Sequence, residues 1–501
     1  MTEQQRPDGG RAQGGGTDEP VFRPRKNGQE QSVSEELSAW MRTGWADTEK
    51  RDVRPIEQAR HTARRRSELS ARFPGERLVV PAGGLKTRSN DTEYPFRAAT
   101  DYVYLSGDQS DDGCLVFEPH EGGGHEVTAY LRPRSNRENG EFWLDGHGEL
   151  WSGRRNSLAE SSALLGLTVH DVRELPALLE KAAGGVATRI VRGHDAALEQ
   201  IVDELRGGAT EESAARDEEL AVALHDMRLV KDDWEVEQLQ KAVDATVRGF
   251  NDVVAVLPQA KATSERYIEG TFFLRARVEG NDVGYGTIAA SGPNATTLHW
   301  VRNDGPVREG DLLLLDAGVE GTELYTADVT RTLPVSGAFT EVQRRVYDLV
   351  YASQEAAIAS LAPGRPFREY HRVAQRVLAE GLIEWGLLEG PVDRVVELGL
   401  QRRYTLHGTG HMLGLDVHDC ARARTEEHLY GELRPGMVLT VEPGLYFQPD
   451  DLTVPEELRG IGVRIEDDVL ITEDGSRVMS AGLPRASADV EAWLAERMPK
   501  A

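Results

Sequence analysis

Cysteine is nearly absent from this sequence, which has only Cys114 and Cys420 among its 501 residues. Two cysteines can form at most one disulfide, so the sequence excludes a secreted fold held together by several disulfides. The scarcity also excludes a zinc or iron–sulfur cage built from cysteine thiolates. Any metal site in this chain must therefore be built from carboxylates and imidazoles.

Long apolar runs are missing as well, because no window of about 18 consecutive apolar residues occurs in the chain. We therefore expect no membrane-spanning helix. Residues 1–35 are rich in Gly, Gln and charged side chains, and they lack the apolar core of a signal peptide. Such a segment cannot offset its ordering entropy by burial, so we predict a disordered tail and a cytoplasmic location.

Positive charge is scarce: the chain has 58 Lys and Arg residues but 84 Asp and Glu residues, which gives a formal net charge of −26. Nucleic-acid-binding surfaces need clustered Lys and Arg against phosphates, so this balance argues against a DNA or RNA partner. It argues equally against docking on anionic lipid. Hydrophobic residues make up 39% of the chain, which is enough for most of it to fold around a core.

After the tail, the chain divides into two parts. Strand-like segments at 111–118 and 126–134 are followed by a helix-like segment that begins near Asn156. We therefore predict an N-terminal α/β domain over 36–226. A long, charged and helical stretch then leads into a second domain over 227–501.

The second part predicts long helices alternating with apolar strands. Apolar residues at helical spacing run from Trp234 and are closed by Pro258. Thr340 with Gln343 forms a capping box that opens another helix, and a further helix runs through Tyr370. The apolar segments between these helices are predicted strands, at 311–318, 437–444 and 463–472.

A short pattern occurs twice in this second part. It reads Arg, any residue, Gly, five residues, an acid, any residue and Gly, and it begins at Arg308 and again at Arg434. Both copies place a turn before an apolar strand and an acid at the end of that strand. The repetition indicates a duplicated α+β half-domain.

Four acids lie within or at the ends of these apolar strands. Asp316 follows four leucines, Glu442 follows Val-Leu-Thr-Val, Glu466 lies within 463–472, and Asp328 lies twelve residues after Asp316. A strand-end turn explains one such acid, but four carboxylates brought together would repel and raise one another's pKa. Two divalent ions would remove that repulsion, so the pattern predicts a dinuclear, oxygen-rich centre.

Three of the 13 histidines, His407, His411 and His418, lie within twelve residues. The glycines between them argue against a regular helix, so we predict a loop and strand that present imidazoles to a cleft. One histidine among several carboxylates suits Mn, Co, Fe or Zn better than a metal that selects thiols. The His-Glu-x-x-His pattern of one zinc protease class is absent.

Five motifs occur in order along the second part: DAG at 316–318, TADVTRT at 326–332, HGTGHMLGLDVHD at 407–419, TVEPG at 440–444 and VRIEDD at 463–468. This set resembles the M24 metallopeptidases, whose catalytic domain has the pita-bread fold. Within that family the chain is most similar to aminopeptidase P. The resemblance covers about 75–475, with looser matches at 96–107, 150–157 and 227–242. It implies a mixed-sheet α/β domain followed by a duplicated pita-bread domain.

The resemblance also implies which residues hold metal. Asp328 and Glu466 would bridge two divalent ions, Asp316 would complete the ligands of one ion, and His411 with Glu442 those of the other. Mn²⁺ is the expected metal, with Co²⁺ or Zn²⁺ as alternatives.

Further side chains match catalytic and substrate-binding positions of the family. As catalytic groups the resemblance gives His299, His407, His418, Glu442 and Arg464. His418 would stabilise the oxyanion and Glu442 would carry a proton to the leaving nitrogen. His299 and His407 are expected walls of a proline pocket, with Tyr446 nearby. Asp101 and Trp151, in the N-terminal domain, would approach the substrate or a neighbouring subunit.

The function implied is that of an Xaa-Pro aminopeptidase, which releases the N-terminal residue from peptides with proline second, in a homo-oligomer. A prolidase, which cleaves only Xaa-Pro dipeptides, shares the same motifs, and the 96–107 match with Asp101 favours the aminopeptidase without deciding. The large N-terminal part argues against a methionine aminopeptidase. The complete ligand set argues against a non-enzymatic pita-bread binding protein and a creatinase-like hydrolase.

Overall fold

The computed structural model describes residues 34–90, 92–181 and 185–499. The described residues form two compact units: the first contains those up to 64 with those of 75–188 and 193–206, and the second contains those of 65–74, 189–192 and from 207 onward. The predicted tail lies outside the described residues, apart from Ser34 and Glu35 at its end. Within the described ranges, no helix has the length and apolar character needed to cross a membrane.

The N-terminal part alternates short helices and strands. Its helices and strands are α1 (Glu35–Met41), α2 (Ala59–Arg72), β1 (Arg77–Pro81), β2 (Thr87–Ser89), β3 (Thr92–Glu93), α3 (Thr100–Ser106), β4 (Cys114–Pro119), β5 (His125–Leu131), α4 (Glu141–Leu144), α5 (Glu149–Ser152), α6 (Leu158–Leu165), β6 (Thr168–Asp171), α7 (Leu175–Lys181), β7 (Thr188–Ile190) and α8 (Ala196–Leu205).

A five-stranded sheet in the order β6-β5-β4-β1-β7 forms the centre of this part. Strand β4 pairs antiparallel with β1 and β5, whereas β5 and β6 run parallel, so the sheet is mixed as predicted. Strand β1 is buried along its whole length, which explains its continuous apolar sequence. The predicted strands at 111–118 and 126–134 are β4 and β5, and the helix predicted near Asn156 is α6, capped by Ser157.

The second unit has longer helices and two three-stranded sheets. Its elements are α9 (Glu211–Arg228), α10 (Asp233–Ala260), α11 (Glu265–Glu279), β8 (Asp282–Val283), β9 (Ile288–Ser291), β10 (Leu312–Ala317), β11 (Val319–Glu320), β12 (Val329–Pro334), α12 (Glu341–Ala359), α13 (Glu369–Glu384), α14 (Val392–Leu398), β13 (Val438–Val441), β14 (Gly444–Tyr446), β15 (Gly462–Arg464), β16 (Asp467–Thr472), β17 (Gly475–Val478) and α15 (Ser487–Arg497).

The two sheets correspond to the two copies of the sequence repeat. One sheet has the order β12-β10-β9 and the other the order β13-β16-β17. Gly310 and Gly436, with φ of +90° and +87°, turn the chain just before the first strand of each copy. Only glycine adopts this left-handed conformation without a steric cost, so the repeat requires it at both positions.

Helices cover these sheets through apolar stripes. Helix α10 packs against α11, and α12 packs against α13. One large core contains residues such as Phe250, Phe272 and Leu315, and a second contains Tyr370, Leu439 and Ile471. The capping box predicted at Thr340 and Gln343 is confirmed, and it opens α12. The strands predicted at 311–318 and 437–444 contain β10 and β13.

Four local predictions were wrong. Helix α10 continues past Pro258 to Ala260, because the amide of Lys261 still donates to the carbonyl of Leu257. The predicted strand 463–472 is two strands, because β15 pairs with β14 and β16 pairs with β13, so the chain changes partner between them. The charged stretch, which the sequence predicts as a helix that crosses into the second domain, is interrupted at 229–232 and forms two helices, α9 and α10. The segment 407–419 forms no strand beyond a single bridge between Met412 and Leu439.

Candidate active site

Two antiparallel strand pairs bring four acids together. In the first pair, Asp316 lies near the end of β10 and Asp328 immediately precedes β12, and the register places Ala317 opposite Val329. In the second pair, Glu442 follows β13 and Glu466 precedes β16, and the register places Val441 opposite Asp467. A bridge between Thr330 and Glu466 joins the two pairs. Each copy of the repeat therefore supplies one acid, and the strand beside it supplies another.

Asp316 and Asp328 share one phenol. The hydroxyl of Tyr285 lies 2.6 Å from Oδ1 of Asp316 and 2.5 Å from Oδ1 of Asp328. Nη2 of Arg464 donates to the other oxygen of Asp316 at 2.5 Å. Glu466 accepts a hydrogen bond from the hydroxyl of Thr330 at 2.6 Å. These contacts hold three of the acids in fixed orientations.

The backbone around His411 fixes how its ring is presented. The amide of His411 donates to the hydroxyl of Thr440 at 3.1 Å, and the amide of Thr440 donates to the carbonyl of His411 at 2.9 Å. Nδ1 of His411 lies 3.1 Å from the carbonyl of Met412, which requires that Nδ1 carry the proton. Nε2 therefore faces the acids, at 3.4 Å from Asp328 and 3.7 Å from Glu442, and it is the nitrogen that can bind a metal once its proton is lost.

The charges at this centre are unbalanced. Burial and repulsion from neighbouring carboxylates raise the pKa of Glu466 well above its usual value. Burial also raises the pKa of Glu442 to about 7 and that of Asp316, although Arg464 opposes both increases. Burial alone would lower the pKa of His411, but Asp328 and Glu442 outweigh it and raise this pKa to about 9. The cluster therefore holds excess negative charge that a cation would neutralise.

The donor set fits divalent metal ions. Asp328, His411 and Glu466 offer ligand atoms that lie within 4.8 Å of one another. Asp316 and Glu442 lie beside them and complete a set of four carboxylates and one imidazole. Oxygen-rich sets with a single nitrogen suit hard and borderline divalent metals.

A cavity of about 810 Å³ opens over this centre. The predicted histidines His299, His407 and His418 line it together with Arg464. The rings of His411 and His418 meet edge to face, with centroids 4.2 Å apart. Tyr446 is buried and donates to Nε2 of His407 at 2.8 Å. The structure thus brings the predicted metal ligands, the three histidines, Arg464 and Tyr446 into one site.

Known proteins resemble this chain over most of its length. The family model described as "Metallopeptidase family M24" matches residues 237–473. The model described as "Aminopeptidase P, N-terminal domain" matches residues 62–191. Xaa-Pro aminopeptidase 1 of Streptomyces coelicolor is 66% identical over 479 residues, which cover 96% of this chain and 96% of that protein. The chain belongs to the aminopeptidase P group of metallopeptidase family M24.

More distant members agree with this assignment. Xaa-Pro aminopeptidase of Escherichia coli is 33% identical, and the match covers 88% of this chain and 98% of that protein. Aminopeptidase PepP of Pseudomonas aeruginosa matches with a TM-score of 0.79 at 31% identity, over 88% of this chain and 99% of that chain. Zinc-substituted E. coli aminopeptidase P in complex with product matches equally well, with a TM-score of 0.79 at 31% identity. This match covers 89% of this chain and 100% of that chain.

The predicted family, fold and enzyme class are therefore confirmed. This M24 chain is a metallo-aminopeptidase and hence a hydrolase, with an N-terminal α/β domain and a pita-bread catalytic domain. Membership of the family implies a dinuclear centre of divalent metal ions.

Two predicted site residues lie in the other unit of this M24 chain. Asp101 lies in α3 and is buried. Trp151 lies in α5, and its ring is exposed while Nε1 donates to the carbonyl of Trp143 at 2.9 Å. Their roles toward the substrate or a second subunit stay predictions.

Sequence reasoning missed several groups around the centre. Tyr285 lies between two glycines, in a segment with no spacing signal, and only the folded sheet places it against two acids. Asp468 accepts a hydrogen bond from the amide of Asp328 at 3.1 Å, and its place in the VRIEDD motif could have revealed it. Asp419, beside His418, is buried with Arg228 and Lys231, which come from the 227–242 match.

Proposed function

We propose that this chain is an Xaa-Pro aminopeptidase, which removes the N-terminal residue from peptides whose second residue is proline. The observation that carries the proposal is the convergence of a complete two-metal donor set on a cavity that three histidines line. The relatives described above, which are called Xaa-Pro aminopeptidases, support the same activity.

Five side chains would hold the metal. We propose Asp328 and Glu466 as the bridging ligands, Asp316 as a ligand of one ion, and His411 with Glu442 as ligands of the other. Mn²⁺ is the proposed metal, with Co²⁺ and Zn²⁺ as alternatives. When bound, two such ions polarise a carbonyl and make water acidic enough to act as a nucleophile near neutral pH.

His418 suits the stabilisation of a developing oxyanion. Burial and the neighbouring charge of His411 lower the pKa of His418, so its ring is neutral at pH 7. A neutral imidazole can donate one N–H to an oxygen that gains negative charge during the reaction. His418 lines the cavity beside His411, which places this donor next to the metal ligands.

Glu442 suits proton transfer to the leaving nitrogen. Its carboxyl lines the cavity beside His411, and a carboxylate in this position can hold a proton and pass it to a departing group. The leaving nitrogen of an Xaa-Pro bond belongs to the proline ring and needs a proton when the bond breaks. Arg464 donates to Asp316 and lies within the same cavity, so its charge balances part of the acid cluster.

The proline ring requires an apolar, closely fitting wall. His299 and His407 line the cavity with Leu298 and Val301, and Tyr446 fixes the ring of His407. We propose that these groups form the proline pocket. Such a pocket would select the ring by shape rather than by charge.

A substrate panel tests the activity. The purified chain is assayed with Xaa-Pro dipeptides, Xaa-Pro-Yaa tripeptides and longer Xaa-Pro peptides, each with added Mn²⁺, Co²⁺ or Zn²⁺. Release of the first residue from the tripeptides and longer peptides is the expected result. Hydrolysis of dipeptides alone would identify a prolidase instead.

Asp328→Ala provides the matching site test. This variant should lose both stoichiometric metal, measured by elemental analysis, and turnover. Retained activity would contradict the site assignment. If the unaltered protein bound no metal and cleaved no peptide, a pita-bread binding protein would be the correct description.

We also propose that the protein works as a homo-oligomer in the cytoplasm. Cys114 and Cys420 are both free and buried, which agrees with a reducing compartment. Size-exclusion chromatography with light scattering measures the assembly directly.

A further inference from the structure

Glu265 is a carboxylate with no accessible surface, and four donors surround it. Oε1 accepts from the amide of Ser291 at 2.7 Å and from Nδ2 of Asn294 at 2.9 Å. Oε2 accepts from Nε1 of Trp300 at 2.8 Å and from the amide of Gly305 at 2.7 Å. Within the described ranges no Lys, Arg or His forms an ion pair with Glu265. These four hydrogen bonds therefore replace the water that would otherwise stabilise its negative charge.

All four donors belong to one segment, which connects β9 to the turn before β10. The same segment carries Leu298, His299 and Val301 into the cavity over the metal ligands. Glu265 thus holds both ends of the segment, at Ser291 and at Gly305, as well as points between them.

Three further observations show that the arrangement is built around this carboxylate. The amide of Glu265 donates back to the carbonyl of Gly305 at 3.0 Å, which closes the segment on the start of α11. A Cβ at Gly305 would lie 2.3 Å from Nδ2 of Asn294 and 2.9 Å from Oε2 of Glu265, so glycine is needed for the carboxylate and this donor to approach together. Glu265 is also the first residue of α11, where the helix dipole favours a negative charge.

The far side of the segment packs against the substrate cavity. Leu298 and Trp300 pack on a small buried cluster that includes Ile288, Leu314 and Tyr446. His299 itself is exposed, and its side chain makes no hydrogen bond in the described structure that would hold it by itself. Its position therefore depends on the backbone to which it is attached.

We propose that Glu265 is the positioning residue for His299 and so for the proline-binding wall of the cavity. It touches neither substrate nor metal. Its four hydrogen bonds hold the 291–305 segment at the distance from the metal ligands that a proline ring requires. This inference rests on the proposed Xaa-Pro aminopeptidase activity.

Glu265→Gln is the sharpest variant, because it keeps the shape and removes one acceptor. Turned toward Trp300 and Gly305, its NH₂ group faces two N–H donors where an oxygen stood before. Turned the other way, it faces the amide N–H of Ser291. Charge-assisted hydrogen bonds are about twice as strong as neutral ones. The two hydrogen bonds that the remaining oxygen still accepts therefore also become weaker. Glu269→Gln is the matched control, since Glu269 lies one turn later in α11 and is only half-buried.

Four measurements distinguish positioning from a general loss of structure. For Glu265→Gln we expect kcat/KM on an Xaa-Pro-Yaa tripeptide to fall between about tenfold and about 100-fold, mainly through KM. Selectivity for Xaa-Pro-Yaa over Xaa-Ala-Yaa should fall with it, while bound metal per chain stays unchanged. Amide hydrogen exchange should become faster in 291–305 and stay unchanged in β10 and β13.

Trp300→Phe keeps the test valid if Glu265→Gln fails to fold. It removes one donor to Oε2 and should raise KM and segment exchange in the same direction, by a smaller factor. Unchanged KM, selectivity and exchange in either folded variant would overturn the proposal, as would equal effects in Glu269→Gln. If the unaltered protein cleaves no Xaa-Pro peptide, the proposed function fails, and the exchange measurement still decides whether Glu265 holds the segment.

Discussion

The hydroxyl of Tyr446 lies 2.8 Å from Nε2 of His407, and this contact determines which nitrogen of the ring carries the proton. Nδ1 of His407 lies 2.6 Å from the carbonyl of Gly408 and must donate to it, so Nε2 accepts from the phenol. Nη1 of Arg464 donates in turn to the phenol oxygen at 3.0 Å. Burial and the charge of Arg464 lower the pKa of His407 to about 4, so the ring is neutral at pH 7.

Tyr446→Phe should therefore impair catalysis without removing metal. The variant leaves Nε2 of His407 and Nη1 of Arg464 without this partner, at a cost of about 1–3 kcal/mol, which corresponds to a fall in kcat/KM of about five- to 150-fold. Steady-state kinetics on a tripeptide substrate measures the change. Tyr430→Phe, at an exposed tyrosine, is the control and should match the unaltered protein. Equal kinetics in both variants would show that the contact is dispensable.

The four acids proposed as metal ligands could be predicted from sequence because their signal is local. Each acid lies at the end of an apolar strand, where an unpaired carboxylate carries a large desolvation cost, and the strand itself can be recognised from its composition. The repeat added a second, independent indication, since Asp316 and Glu442 occupy equivalent positions. The structure places both as that argument requires.

The supporting groups could not be predicted, because their partners are distant in sequence. Tyr285 meets Asp328 only when β9 pairs with β10 and the sheet is complete. Glu265 meets its donors only when the 291–305 segment folds back on α11. The break before β16 was missed for a related reason, because the apolar pattern runs on through Ile465 while the pairing partner changes.

Removal of metal should destabilise the protein in a pH-dependent way. Without an ion, Glu442, with its pKa raised to about 7, and His411, with its pKa raised to about 9, must lose protons before they can bind metal. Stabilisation by the ion should therefore increase as pH rises through about 7, where Glu442 loses its proton, and then through about 9, where His411 does. Binding to the folded state alone contributes about 2.7 kcal/mol at 100 times Kd. Thermal unfolding with EDTA and with re-added Mn²⁺ measures this, and Asp328→Ala should show no response to either.

Asp419 should contribute strongly to stability at neutral pH. Its carboxylate lies 3.0 Å from Arg228 and 3.5 Å from Lys231, and all three side chains are buried. Asp419→Asn removes the negative charge that faces two buried cations and should cost about 3–5 kcal/mol in the free energy of unfolding at pH 7. Urea unfolding measures it. Asp451→Asn, which breaks a pair with the exposed Arg403, should cost less than about 1 kcal/mol.

The contact of Asp419 with Arg228 and Lys231 also predicts how the free energy of unfolding depends on pH. Burial alone would raise the pKa of Asp419, but Arg228 and Lys231 outweigh it and lower this pKa from 3.8 to about 2. The stability that Asp419 contributes is thus present above pH 3.8 and is lost as pH falls toward about 2. The difference between the unaltered protein and Asp419→Asn should shrink over that interval, and a constant difference would contradict the assigned pair.

Gly318 should tolerate no side chain, although it contributes no functional group. A Cβ at Gly318 would lie 1.7 Å from the carbonyl oxygen of Ala327, whereas a Cβ at Gly321 would meet its nearest atom at 3.4 Å. Because Ala327 directly precedes Asp328 and Gly318 lies two residues after Asp316, relief of this overlap must separate the two acids. Gly318→Ala should therefore lower both metal content and activity, while Gly321→Ala keeps both. Elemental analysis and steady-state kinetics on both variants check this prediction. Full metal occupancy in Gly318→Ala would show that the backbone can shift without moving the two acids.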